Sequence, residues 1–164
     1  MTVSLNARLD EQVTSIQAAI GVLLTSTLGD TKYVSLKGYR KIRITVDILN
    51  GSTITASTIT LQQAQAVAGT NEKPLAFTRM LANIDYAAAQ VMAETAVTAN
   101  SFTTNTTNSK LLRYVIDVDS DSLDVAGGFD CIRLDGTGAA NHLAVCVSYD
   151  LYGARYSGSS PLVD

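Results

Sequence analysis

Three aspartates at odd spacing, Asp117, Asp119 and Asp121, come nearest in this chain to a metal site. Alternate carboxylates of that kind open the calcium loop of an EF-hand, where successive oxygens converge on one ion. The match then fails, because Ser122 stands where the loop needs glycine and Gly128 where it needs a bidentate glutamate. Two readings stand side by side: a calcium site of another geometry, or a solvated acidic connection whose Asp side chains cap local turns, and the second is favoured. His142 is the one histidine, so neither a two-histidine metal site nor a histidine-paired cysteine with a spare proton shuttle is expected. It follows Asn141 at a loop-to-strand junction and reads as an ordinary surface residue. Gly127-Gly128 is not a phosphate loop, since no Lys-Ser/Thr follows it and no helix starts there. Asn105-Thr106-Thr107 would matter as a glycan acceptor only in a secreted protein.

Two further groups carry potential chemistry. Cys131 and Cys146 both fall in expected strands, and reduced, half-buried thiols are favoured over a bridge because a domain of this size needs no staple. Lys37, Arg40, Lys41 and Arg43 form the sole basic cluster, either a solvated strand face or a contact to an acidic partner. Nothing here trades protons, attacks a carbonyl or holds a metal as a set. The expectation is a protein that is not an enzyme and needs no cofactor.

The elements that would position these residues read mostly as strands. Lys41 to Leu49 alternates Ile42, Ile44, Val46 and Ile48 with Lys41, Arg43, Thr45 and Asp47, the period of a strand with one buried face. Asn50-Gly51 then predicts a tight hairpin turn with positive φ, and Thr53 to Gln63 its returning partner, with a bulge near Ser57-Thr58 where the apolar phase slips. Leu112, Tyr114, Ile116 and Val118 mark a second long strand. Phe129 to Leu134 is a third, after the acidic connection and Gly127-Gly128. Leu143, Val145, Val147, Tyr149 and Leu151 mark a last one, central because its other face is only mildly polar. Shorter strands are expected at Tyr33 to Leu36, after Pro74, and near Thr98 to Thr103. Ile84 to Glu94 reads as helix on propensity alone, a prior that β context can override.

At the N-terminus, Leu9, Val13, Ile16 and Ile20 fall on one helical stripe. A short amphipathic helix is predicted there, packing either on the body of its own chain or on a neighbouring subunit. The fold class is therefore all-β: an antiparallel β-sandwich or jelly roll of about eight strands with a short helical arm. Residues 1–28 form the arm, 29–153 the body and 154–164 a loose tail.

Composition narrows the function further. A chain of 164 residues suits a single domain, and a net charge of −3 leaves no clustered basic surface to track nucleic-acid phosphates. No apolar run approaches the roughly 18 residues that span a bilayer, and Ala18 to Leu24 lacks the basic flank of a signal peptide. A cytosolic origin with no membrane partner is expected.

Four stretches carry a resemblance. They are Val34-Ser35-Leu36-Lys37-Gly38-Tyr39; Thr60-Leu61-Gln62-Gln63-Ala64 leading to Lys73-Pro74-Leu75-Ala76-Phe77-Thr78; Leu123-Asp124-Val125 with Gly127-Gly128-Phe129-Asp130-Cys131-Ile132-Arg133; and Tyr152-Gly153-Ala154-Arg155-Tyr156. In this order they resemble a group of small tailed-bacteriophage virion proteins encoded among head genes, and they cover about residues 33 to 156; the N-terminal stripe is longer than in that group. The resemblance implies a decoration or cement protein on the capsid exterior, made in the bacterial host cytoplasm. Its partners would be the major capsid protein and copies of itself, as a homodimer or homotrimer. Leu9, Val13, Ile16, Ile20, Arg40 and Arg43 are the candidate assembly contacts. A receptor- or glycan-binding module on the virion and an unrecognised hydrolase are the alternatives.

Overall fold

Side chains on a strand alternate between two faces, so a strand with apolar residues at every second position must lay one face on a core. Three long strands obey this over most of their length. In β3 (Lys41–Asn50), β9 (Leu111–Asp119) and β11 (His142–Tyr152) the alternate residues Ile42 to Ile48, Leu112 to Val118 and Val145 to Leu151 are all buried. The computed structural model describes residues 13–19, 31–137, 141–154 and 162. Among them lie eleven strands in two antiparallel sheets, and the only helical pieces are two short 3-10 turns at Ser120–Ser122 and Val125–Gly127. The excess over eight comes from short pieces.

One sheet has six strands in the order β1 (Val13–Ala19), β11, β3, β9, β6 (Arg79–Asn83), β7 (Ala93–Ala96). The other runs β2 (Val34–Ser35), β10 (Cys131–Thr137), β4 (Thr58–Ala64), and β4 carries both β5 (Lys73–Pro74) and β8 (Ser101–Thr103) along its outer border. Ile59, Leu61, Ile132 and Leu134 of this sheet join the apolar residues of β3, β9 and β11 in one buried cluster. Tyr149 links the layers directly. Its hydroxyl, fully buried on β11, accepts the N–H of Leu134 on β10 at 3.0 Å, and burial pushes its pKa up to about 12.

Several expectations change. Val13 to Ala19 is a strand paired with β11, not a helix, and Val13 and Ile16 lie opposite Tyr152 and Tyr149. Val13 and Ile16, three residues apart, share one side of a helix but opposite faces of a strand, and Ile16 packs on the core; the long open border of β11 offers a ladder that a lone short helix cannot match. Leu9 and Ile20, the ends of that stripe, lie outside the described residues. Ile84 to Glu94 forms no helix: one turn around Asp85 closes with Ala88 and Ala89 amides on its carbonyl, and the chain then enters β7.

The expected hairpin at Asn50-Gly51 is also absent. β3 pairs with β11 and β9, whereas the following strand β4 belongs to the other sheet. Asn50 is buried at this corner and its amide donates to the carbonyls of Asn105 and Thr107 at 3.1 and 2.7 Å. Gly51 is needed for space, not for positive φ: a Cβ there would sit 2.8 Å from the Asn141 carbonyl oxygen. The apolar phase slip before β4 is thus the end of a crossover, and the strand begins only at Thr58.

His142 is buried rather than on the surface. A register shift between His142 and Ala144, next to Asn141 at φ 53, reverses the phase of the strand's first residues, so that Leu143 points out and His142 points in. Its Nδ1 lies 2.8 Å from Asn50 Oδ1 and its Nε2 3.3 Å from Ser57 Oγ. Asn50 spends its amide hydrogens on carbonyls, so Nδ1 carries the proton and Nε2 accepts from Ser57. Burial alone holds the imidazole below its ordinary pKa.

Two predictions rest on these buried polar groups. Unfolded chains bind a proton at His142 near the usual pKa of about 6.5 while the native site resists it, so stability rises with pH across the range just below that value. Urea titrations between about pH 7 and 5 should show stability falling as pH drops, and His142→Gln should flatten that dependence. Tyr149→Phe leaves the Leu134 N–H buried without an acceptor and should cost about 1–3 kcal/mol, read as a lower urea midpoint.

Candidate functional site

The connection between β9 and β10 is tied onto the second sheet by side chains that come from well-separated parts of the chain. Gln63, at the end of β4, is buried; its Oε1 accepts the Asp124 N–H at 2.9 Å and its amide donates to the Pro74 carbonyl at 3.3 Å. Gln65 donates to the Gly127 carbonyl at 2.7 Å and accepts from Asn71 at 2.5 Å. The Asp124 carboxylate accepts the Gly127 N–H at 3.0 Å and pairs with Lys73 of β5. Lys73 also places its ammonium 3.9 Å from the centre of the Phe129 ring. The Lys73 ammonium first, and the Gly127 N–H second, hold the Asp124 carboxyl below the ordinary carboxylate range.

This arrangement explains the two glycines. A Cβ on Gly127 would lie 2.6 Å from Asp124 Oδ2, so the carboxylate could not fold back over a larger residue. Gly128 ends the 3-10 turn with φ +80, a left-handed conformation that L side chains resist. The chain then turns straight into the sheet, with Asp130 N on the Ala64 carbonyl and Leu36 N on the Asp130 carbonyl.

Two hollows flank this clasp. A shallow groove of about 320 Å3 on one side is lined by Leu36, Tyr39, Leu123, Val125 and Phe129 with Lys37, Asp121 and Asp130 among its polar residues. An open cleft of about 650 Å3 on the other is lined by Tyr33, Glu72, Arg133, Val67 and Gly69, among others. In that cleft the Arg133 guanidinium lies 4.8 Å from the Tyr33 ring centre and donates to Glu72 at 3.1 Å, while Tyr33 donates to the same carboxylate at 3.0 Å. Burial first, then the Glu72 hydrogen bond, drive the Tyr33 phenol further from ionisation. A phenol shifted that way is a poor acid and a poor nucleophile at neutral pH.

The candidate assembly residues separate. Arg40 is exposed at the groove's border, its N–H on the Tyr152 carbonyl and its own carbonyl accepting from Ser120, and Val13 pairs with the same Tyr152. Arg43 instead lies on the outer face of the six-stranded sheet, forked onto Asp117 at 2.8 and 2.9 Å. Ile16 packs on the core. Of the three aspartates, Asp117 is held by Arg43 and Asp119 lies 3.7 Å from Lys41, and no group of three potential metal-binding side chains occurs among the described residues. Cys131 and Cys146 are unbridged and sit in different sheets; Cys131 is buried outright, and Gln17 donates to Cys146 at 2.8 Å.

Sequence reasoning missed Gln65, Lys73, Glu72 and Arg133 as members of one neighbourhood. Only the polar run after β4 signalled that something there was to be hydrogen-bonded, and nothing local told what it would meet.

No family model and no curated protein matches this chain. A solved structure, that of the SPBc2 prophage-derived protein YomS, aligns over 86% of this chain and 93% of its own length, with a TM-score of 0.42 and 11% identity. A likeness that distant carries no inference from one protein to the other.

The clasp makes its own prediction. Gly128→Ala forces a Cβ into the left-handed region and should destabilise the domain by about 1–2 kcal/mol, measured by urea unfolding.

Proposed function

We propose that this chain is a structural protein of a phage particle that binds the outer surface of the capsid and stabilises it, as decoration or cement proteins do. One observation supports this reading above others. Three of the four stretches that carry the resemblance, at 34–39, at 60–64 with 73–78, and at 123–133, are distant in sequence yet meet in the clasp through Lys73, Asp124, Gln63 and the Leu36 to Asp130 hydrogen bond. The fourth begins at Tyr152, whose carbonyl accepts from Arg40, the residue that follows the first. Residues scattered by chance resemblance have no reason to converge on one surface.

The rest of the surface suits docking better than catalysis. Arg43 with Asp117, Arg113 with Asp47 and Lys41 with Asp119 pair across neighbouring strands, leaving a rigid face whose charges are already matched. The groove beside the clasp offers Val125, 62% exposed, next to Phe129 and Leu123, which fits a subunit seam with an apolar ridge. The partner is the major capsid protein, met in many symmetric copies. A glycan-binding module would present an open aromatic platform, whereas the Tyr33 ring in the larger cleft lies under Arg133.

Cosedimentation with purified heads that lack the protein tests the proposal. Saturable occupancy at a fixed ratio to the capsid subunit is expected, with Val125→Asp reducing it at least about tenfold, a loss of roughly 1.4 kcal/mol. Heads that emerge bare at micromolar protein would refute it.

A further inference from the structure

β7 closes one end of the six-stranded sheet, and all four of its residues, Ala93 to Ala96, are exposed. The other border strands are not bare in this way: Val13, Thr14 and Ile16 of β1 are half-buried, both residues of β2 are buried, Lys73 of β5 is half-buried and β8 buries Phe102. Natural proteins guard an open edge with proline, lysine, a bulge or a covering loop. The sequence Ala-Glu-Thr-Ala has no proline or lysine, its one charge, Glu94, lies 3.8 Å from Arg79 of the same chain, and its pairing with β6 runs from Arg79 and Ala96 to Ala82 and Ala93 without a register shift. The six-stranded sheet also overhangs its partner layer here. Met80 is buried on the inner face, while Thr95, directly opposite it on β7, is exposed.

Ladder geometry determines what this edge offers. Val97 donates its N–H to the Thr78 carbonyl at 2.9 Å, toward β6. Along an antiparallel strand these directions alternate, so the N–H and C=O groups of Ala93 and Thr95 also turn toward β6. Those of Glu94 and Ala96 turn outward.

We infer that the β7 edge pairs antiparallel with the β7 edge of a second copy, about a two-fold axis through Thr95, joining two six-stranded sheets into one. In that register Glu94 lies opposite Ala96 of the second copy, and Ala96 opposite its Glu94. Every outward group then finds a partner, giving four main-chain hydrogen bonds across the axis. Thr95 meets its own counterpart, a favoured cross-strand pair, and Ala93 meets Val97. Charge selects the same register. Arg79 Nη1 already lies 3.8 Å from Glu94 Oε2 within one chain, and in the pair Arg79 and the second copy's Glu94 flank Ala96, whose small side chain leaves room between them. An axis through Glu94 would instead oppose two carboxylates. A strand from an unrelated protein would share none of this self-complementarity. The pairing does not depend on capsid binding, so each can fail without the other.

Sedimentation velocity on the full-length chain tests the inference. Twice the monomer mass should be approached as concentration rises from low to high micromolar. Ala96→Pro removes an outward N–H while sparing the bonds to β6, and should weaken the dimer at least about tenfold with an unchanged circular dichroism spectrum. Thr95→Cys places two thiols across the axis at a non-hydrogen-bonded site with Cα atoms about 4.5 Å apart, within disulfide range. It should cross-link on mild oxidation far faster than Glu94→Cys or the parent chain. A monomer at every concentration, a dimer indifferent to Ala96→Pro, or equal cross-linking by the two cysteine variants would overturn the pairing. If Ala96→Pro does not fold, the cysteine variants decide it.

Discussion

A chain that keeps changing sheets must satisfy its backbone at every corner without a ladder to do it, and the buried side chain of Asn50 is where this constraint is met most fully. Its amide takes the Asn105 and Thr107 carbonyls and its oxygen takes the His142 N–H, while Ser57 and Thr104 exchange bonds beside it. Four segments, at residues 50, 57, 104–107 and 142, are held at one end of the two layers by neutral hydrogen bonds that burial strengthens. Among the described strands only β4–β5 and β6–β7 pair as sequence neighbours; every other consecutive pair lies in different sheets. The two apolar faces can therefore meet only because such corners tolerate burial.

The Gly127-Gly128 turn solves the same problem at the surface. Asp124 serves as its own clamp, bonding the Gly127 amide from one side and Lys73 from the other. An exposed ion pair contributes little to stability. Its use here is positional. It keeps Leu123, Val125 and Phe129 along one wall of the groove, which is the surface on which the proposed capsid contact depends.

Charge elsewhere serves register more than energy. Lys41, Arg43 and Asp47 on β3 face Asp119, Asp117 and Arg113 on β9, opposite sign to opposite sign, so a slip of two residues would set Arg43 against Asp119 but leave Asp47 against Val115 and Arg113 against Leu49. The pairing that keeps all three is also the one that buries Ile42 to Ile48 against the core. Arg113 adds a stack on Tyr86, 4.0 Å from its ring centre, which ties the loop after β6 to the same face.

Period-two alternation makes β3, β9 and β11 legible from local spacing alone, because a strand's two faces are written residue by residue and burial is nearly complete on one of them. Helical spacing misjudged Val13 to Ala19, which the open border of β11 takes as a strand, and plain alternation placed Leu143 inside and His142 outside because a single inserted residue reverses the phase. Sequence by itself thus determined the all-β class, the long strands and most of the core. Tertiary structure alone decided that Asn50-Gly51 is a corner between sheets, that Gln63, Lys73 and Asp124 meet, and that β7 is left bare. Those outcomes depend on which strand lies next to which, and contacts between residues far apart in the chain leave no trace in local spacing.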